Sequence, residues 1–241
     1  MATVARRERS AAADRPTRGR ELRLWAQGCT TVAGVDEVGR GPLAGPVTAA
    51  AVVLRPHSRP RWLSELRDSK QLSAATRERL DEAIRASVSD WAVGWAGAAE
   101  IDSVGIVSAT RLAMRRALAS LTTPAQYVLV DGNDRHQFEC PFEAIVRGDA
   151  TVTSIAAASV VAKVARDAWM AALADRYGGY AFRSNKGYAT AAHLAALRER
   201  GPCSAHRFSF APVRAVMREA LRPRPAARAS GVAAGPGEAP L

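Results

Sequence analysis

Apolar positions in this chain begin as short continuous runs and later settle into helical spacing. Val32 to Val35 is one such run, ending at once in Asp36 and Glu37, and Val47 to Leu54 is a second, made largely of Val and Ala. Runs of this kind, separated by the turn residues Gly41, Pro42, Gly45 and Pro46, predict two buried strands joined as a hairpin-like pair. Within Asp90 to Ala98, the alternation of Trp91, Val93 and Trp95 predicts a third strand with both indoles in the core. Residues 73–88 have apolar side chains at helical spacing. Residues 99–121 predict a longer helix with Ile101, Val104, Leu112, Met114 and Leu118 as its apolar face. Two more short strands follow, Tyr127 to Val130 before Asp131-Gly132 and Ala144 to Val146 before Gly148-Asp149. The run Ser154 to Arg176 is helical, and Ala156, Ala157, Ala158 and Ser159 are small enough to let it lie close to a sheet. Residues 189–200 and 211–221 are helical again. Three strands, a helix, then strands alternating with helices predict an α/β fold: a mixed sheet flanked by helices, with a helical C-terminal extension.

The 241 residues, 48% of them hydrophobic, suffice for one domain with a real core. That domain is expected over residues 24–223. The arginine-rich stretch 1–23 and the Pro-, Ala- and Gly-rich stretch 224–241 read as disordered tails. Glu8, Asp14 and Glu21 argue against an organelle leader at the start, and no apolar run approaches the roughly 18 residues of a membrane span. Cys29, Cys140 and Cys203 are odd in number and widely spaced, which excludes a zinc site or a disulfide framework and suits a reducing cytoplasm. A net charge of +11 points to a polyanionic partner, with nucleic acid the usual one. The arginines of the two tails would strengthen binding to any phosphate backbone without reading sequence.

The candidate chemistry lies where strands end. Asp36 closes the first strand, Asp131 a later one, and Asp149 follows a third. In an α/β sheet the strand ends form one rim, so acids distant in sequence can meet there. Carboxylates gathered on one rim repel each other unless cations lie between them, and paired divalent ions such as Mg²⁺ or Mn²⁺ are what phosphodiester hydrolysis exploits. Neighbouring residues of a strand face opposite ways, so Asp36 and Glu37 share a site only if the strand bends or one of them uses its backbone carbonyl. Glycines in Gly39-Arg40-Gly41 let bare main chain come close to a ligand. Another nuclease with an acidic rim, a resolvase or exonuclease acting on DNA, is an alternative reading that has no need of this loop. A non-catalytic basic binding domain is a second alternative, one that has no need of clustered acids.

The ordered set of motifs resembles the bacterial ribonuclease HII family. It comprises Asp36-Glu37-Val38-Gly39-Arg40-Gly41-Pro42-Leu43-Ala44-Gly45-Pro46, Asp68-Ser69-Lys70, Val130-Asp131-Gly132-Asn133, Gly148-Asp149 with Ser154 to Ser159 and Ala162-Lys163, Lys186-Gly187-Tyr188, and His206 to Phe210. The likeness runs from about Val32 to Val213. It implies an RNase H-like fold and a metal-dependent endonuclease leaving 5′-phosphomonoesters. Its substrates would be RNA–DNA hybrids and single ribonucleotides embedded in duplex DNA, met in replication and repair. By the same likeness Asp36, Glu37, Asp131 and Asp149 carry the metals. Gly39, Arg40 and Gly41 contact the 2′-hydroxyl, and Tyr188 stacks on the neighbouring deoxyribose. Lys70, Lys163 and Lys186 are expected phosphate contacts. His206 is open between assisting proton transfer or product release and a structural role, while Ser154 and Ser159 are expected to pack or cap a helix. A cytoplasmic monomer without membrane attachment is expected, and a clamp-like partner is left open.

Overall fold

A computed structural model describes residues 15–67, 72–134 and 137–220. Five strands form one sheet: β1 (Val32–Val38), β2 (Val47–Val53), β3 (Asp90–Ala96), β4 (Tyr127–Asp131) and β5 (Phe142–Ile145). The spatial order is β3-β2-β1-β4-β5. The first three strands pair antiparallel, whereas β4 and β5 join parallel to β1. β1 is therefore the strand at which the pairing mode changes, and the C-terminal ends of β1 and β4 lie side by side.

Alternation along β1 assigns its two faces. Ala33 and Val35 pack with Ala49, Ala51, Val128 and Val130 against α3 (Ala98–Ala119). The opposite face, carrying Ala50 and Val52, packs on α2 (Ala74–Ser87) and on α5 (Thr153–Arg176). β2 is buried on both faces throughout, which is why it reads as an unbroken Val/Ala run. Glycine lets a helix press into each face. A Cβ on Gly34 would stand 2.2 Å from the backbone carbon of Ser154, and one on Gly94 would stand 2.1 Å from the carbonyl oxygen of Ala113. Small residues on α5 are thus matched by a missing side chain on the strand beneath it. Both sheet faces are covered, and among the described residues no helix is long and apolar enough to cross a membrane.

Three expectations change. The fold begins before residue 24, because Gly19–Ala26 forms a helix, α1, that buries Leu24 and Glu21. Glu21 Oε1 accepts from the backbone N–H of Ser154 at 2.8 Å, so an acid caps the first turn of α5, where helix N–H groups lack partners. Thr17 pairs with the chain on either side of Val152. Residues 1–14 and 221–241 lie outside the described part, as does Asp68-Ser69-Lys70. Second, the long helix is interrupted at Gly105, whose φ of 76° is not helical. The break shifts the helical phase, so Val104 is 49% exposed while Ile101 and Met114 are buried as expected. Third, the fully covered face of β3 carries Ala92, Gly94 and Ala96, where α3 approaches too closely for a large side chain. The indoles occupy the other face, half-buried: Trp91 lies under the Arg85 guanidinium, 3.9 Å from the ring centroid, and Trp95 packs on Trp169.

The remaining helices are short or peripheral: α4 (Gly148–Thr151), α6 (Phe182–Asn185), α7 (Ala191–Arg200) and α8 (Ala211–Ala220). Gly34→Ala tests the closeness of α5 to the sheet. The new methyl meets backbone rather than a movable side chain, so we expect more than about 2 kcal/mol of destabilisation in denaturant unfolding. An unchanged unfolding midpoint would contradict the fit.

Candidate active site

The acids meet at the C-terminal ends of β1 and β4. Val35 pairs with Val130 in parallel register, which brings the next residues, Asp36 and Asp131, side by side. Both follow their strands' alternation to the α5 face, since Gly34 touches Ser154 and Leu129 packs with Ile155. Asp36 is 5% exposed. Its carboxylate accepts from the N–H of Glu37 at 2.8 Å and from the hydroxyl of Ser159 on α5. Burial, with Glu37 and then Asp131 adding like charge, holds its pKa well above the ordinary aspartate value.

Glu37 belongs to the other face by alternation, yet it feels the charge of Asp131. Burial raises its pKa, partly opposed by Arg40, whose Nη1 is 3.4 Å from Glu37 Oε1. Arg40 also reaches to 3.8 Å from Asp134. Asp149, in the single turn of α4, is nearly buried and donates its N–H to Asp131 Oδ1 at 3.3 Å. That turn is entered through Arg147 at φ 58°, a left-handed conformation costly for a residue with a Cβ. A Cβ on the next residue, Gly148, would lie 2.7 Å from Ile155 Cδ1 and 3.3 Å from Asp131 Oδ1, so glycine lets the turn come this near without displacing either side chain. Among the described residues no three His, Cys, Asp or Glu side chains stand close enough to hold a metal ion as they are. The four acids supply the hard oxygen donors that divalent cations take, and their burial and mutual repulsion are what a cation relieves.

Beside the acids, residues 39–46 form a loop stitched to the C-terminal extension. Leu43 N–H donates to Gly187 O, Arg207 N–H to Leu43 O, and Gly45 N–H to Ala205 O, at 2.8, 2.8 and 2.9 Å. Two arginines, each fully buried, fill the space behind the loop. Arg207 donates to the carbonyls of Gly39, Arg40 and Gly45 at 2.6, 2.8 and 3.0 Å. Arg166, from α5, donates to Pro46, Lys186 and Ala44 at 2.9, 3.1 and 3.3 Å. Burial, with Arg166 as a like neighbour, pushes Arg207 down to about 9, still protonated at neutral pH. Gly39, at φ 90°, has no room for a side chain, because a Cβ would meet Arg166 Nε at 2.1 Å.

Tyr188 stands next to this loop. A Cβ on Gly41 would be 3.8 Å from Tyr188 Cε1, and the tyrosine is 44% exposed. Its segment is folded by Asn185, which donates to Tyr180 O at 2.7 Å and accepts from Gly187 N–H at 2.8 Å. Lys163 pairs with Asp167 at 2.7 Å, and Lys186 Nζ lies 3.4 Å from the carbonyl of Asp167. His206 is fully buried, away from the acids, between Cys203 and His193. Burial drives its pKa down to about 4, with His193 adding to the effect. It therefore sits neutral in the core.

Ser159, Arg166, Arg207 and His193 received no chemical role from the sequence. Arg166 had a legible signal: it lies on the buried stripe Ser159–Ala162–Arg166–Met170 of α5, where a charge demands an explanation. Ser159 and His193 had none, since only the fold brings them to Asp36 and Tyr188.

Comparison with known proteins places this arrangement. Residues 33–213 match the model of the ribonuclease HII family. The chain is 56% identical to the ribonuclease HII of Nitrosococcus oceani over 183 residues, 76% of this chain and 90% of that one. Among solved structures it resembles the ribonuclease H2 of Pyrococcus horikoshii, with a TM-score of 0.68 at 27% identity, covering 78% of this chain and 98% of that one. It also resembles the RNase HII of Archaeoglobus fulgidus, solved in complex with PCNA, with a TM-score of 0.63 at 25% identity, over 75% of this chain and 95% of that one. With its sheet, its acidic strand ends and its sequence all in agreement, the chain belongs to the ribonuclease HII family, the endonucleases that cleave the RNA strand of RNA–DNA hybrids.

Proposed function

We propose that the chain cuts at a ribonucleotide laid across the Asp36 edge, with the loop and Tyr188 identifying the ribose whose adjoining phosphodiester is hydrolysed. The observation carrying this reading is that Gly41 and the exposed ring of Tyr188 abut beside the buried acids. Asp36, Glu37, Asp131 and Asp149 would hold divalent cations, Mg²⁺ or Mn²⁺. Cations held there would supply activation of a water and neutralisation of the leaving oxygen. Asp36 is kept in place by Ser159 and by the N–H of Glu37, which leaves its carboxylate oriented before any cation arrives.

Recognition rests on the 2′-hydroxyl, the group that separates RNA from DNA. Arg207 already engages the carbonyls of Gly39 and Arg40, which shifts the proposed contact to the loop's N–H groups and to the second lone pair of each oxygen. The Tyr188 ring would lie against the next sugar, where an added hydroxyl matters. Lys163 and Lys186 gather at Asp167 and would be shared with an incoming phosphate. Lys70 is proposed for the same task from its motif alone. The complex of the Archaeoglobus relative with PCNA supports a clamp-like partner for this chain too.

Asp36→Asn or Asp131→Asn should reduce cleavage to background while substrate is still bound. The folded protein holds the Asp36 proton more tightly than the unfolded chain does. The carboxylate therefore costs stability that grows as pH rises from 3.8 through the raised value, a cost Asn does not incur. In metal-free buffer at neutral pH the Asn variant should melt higher than the native protein, and adding Mn²⁺ should raise the melting temperature of the native protein alone. Near-normal turnover in either variant would remove these acids from the chemistry.

Tyr188→Ala should lose most activity on a duplex with a single ribonucleotide and less on a long hybrid, whereas Tyr188→Phe should keep most of it. Equal losses on both substrates, tracking lost thermal stability, would reduce Tyr188 to a packing residue.

A further inference from the structure

His193 and His206 sit between the Cys203 turn and the carbonyl of Tyr188, and the direction of every hydrogen bond among them can be worked out. Tyr188 O can only accept, and His193 Nδ1 lies 2.8 Å from it, so His193 carries its proton on Nδ1. Its Nε2 is then bare and faces His206 Nε2 at 3.1 Å, which must supply the proton between them. His206 Nδ1 is bare in turn and accepts the backbone N–H of Cys203 at 3.0 Å. Tyr188 O fixes the polarity at one end; at the other, His206 Nδ1 also lies 3.2 Å from Cys203 Sγ and 3.3 Å from Cys203 O, and with both rings kept neutral by burial only two imidazoles of opposite tautomer fit between Tyr188 O and the Cys203 N–H. A proton added to His193 Nε2 would set one N–H against another.

The surroundings enforce that state. Both histidines are fully buried. They are enclosed by Tyr180 and Phe182, whose rings stack 5.3 Å apart and meet both imidazoles. Burial lowers both pKa values. His206 also bridges to Ala44 in the loop by backbone pairing, and Gly187 O accepts from Leu43 N–H on the loop's other side. The imidazoles therefore close a ring that runs from Tyr188 through the loop to His206 and back to Tyr188.

We propose that His193 and His206 are positioning residues for Tyr188: a relay of fixed hydrogen-bond direction that sets where the ring stands relative to the Gly39–Gly41 loop and so tunes selection of a ribonucleotide–deoxyribonucleotide junction. This rests on the reading of Tyr188 as the residue against the neighbouring sugar. Both histidines are fully buried and out of a substrate's reach. The relay acts only through the backbone of Tyr188.

Two measurements on the full chain test it. Nitrogen-15 NMR of the native protein's histidine rings at neutral pH should show one buried ring protonated on Nδ1 and the other on Nε2. Two rings of the same tautomer, or a charged one, would overturn the relay whatever Tyr188 does. The second is a double-mutant cycle. His206→Phe keeps a flat ring in the aromatic cage but leaves His193 Nε2 and the Cys203 N–H without their partner. It should lower kcat/KM about tenfold on a single-ribonucleotide duplex and less on a long hybrid. His206→Gln, which can both accept and donate, should restore most of that loss. In a Tyr188→Ala background, His206→Phe should cost nothing further in the ratio of the two substrates. An undiminished cost there would mean that the histidines support the fold in general and would overturn the positioning role. If Tyr188→Ala alone fails to separate the substrates, the reading of Tyr188 has failed, and a same-sized effect of His206→Phe with and without Tyr188 overturns the positioning role with it.

Discussion

Much of this molecule depends on two buried guanidinium groups that, among the described residues, are held by main-chain carbonyls and not by an ion pair. Arg166 and Arg207 satisfy six main-chain carbonyls between them, and those carbonyls come from two segments far apart in sequence, residues 39–46 and Lys186. Burying a charge is costly unless its hydrogen bonds are made, and here the backbone makes them. The result is a loop whose conformation is dictated from behind. Arginine is required for geometric reasons: a planar fork reaches several carbonyls in fixed directions, whereas an ammonium is a single point on a flexible stem. The positive charge lies beneath the loop, offset only at a distance by Asp167 and Asp102, next to a strand end where negative charge accumulates. A polyanion crossing this edge meets cationic backing on one side and acids on the other.

That polarity accounts for the unfavourable state of the acids. Asp36 is buried and Glu37 partly so, both are repelled by like charge, and among the described residues only Arg40, itself exposed, offers Glu37 an ion pair, at 3.4 Å. The protein tolerates this because the sheet around them is over-determined: β2 is covered on both faces and α5 lies against Gly34 at backbone contact distance. A strained turn at Arg147 adds to the cost of presenting Asp149. Strain and repulsion are concentrated at one edge and supported by close packing elsewhere.

The elements were legible wherever a single period governed them. The Val/Ala run of β2, the alternation of β3 and the small-residue face of α5 each follow from burial geometry that repeats along the chain. The acids Asp36 and Asp131 were legible because a strand end is a local event. What escaped the sequence were features that depend on contacts across the fold. Arginine content suggested disorder before residue 24, yet Glu21 finds the N-terminus of α5, more than a hundred residues away, and Leu24 follows it into the core. Val104 matched a helical face until Gly105 broke the phase. Trp91 and Trp95 alternated correctly, but the covered face went to the small residues between them, because α3 leaves no room for an indole there.

The stitching of the loop has a consequence for how the protein is made. Gly39 and Arg207 are separated by 168 residues along the chain, and Gly45 and Arg207 by 162. On a growing polypeptide the sheet strands, the acids and Arg166 all emerge before the segment that fixes the loop. Contacts of such long sequence separation form late, since loop closure must be paid for before they contribute. The acidic edge can be assembled while the loop of residues 39–46 is still unset. The proposed reading of the ribose by this loop would thus be among the last properties this chain acquires as it folds.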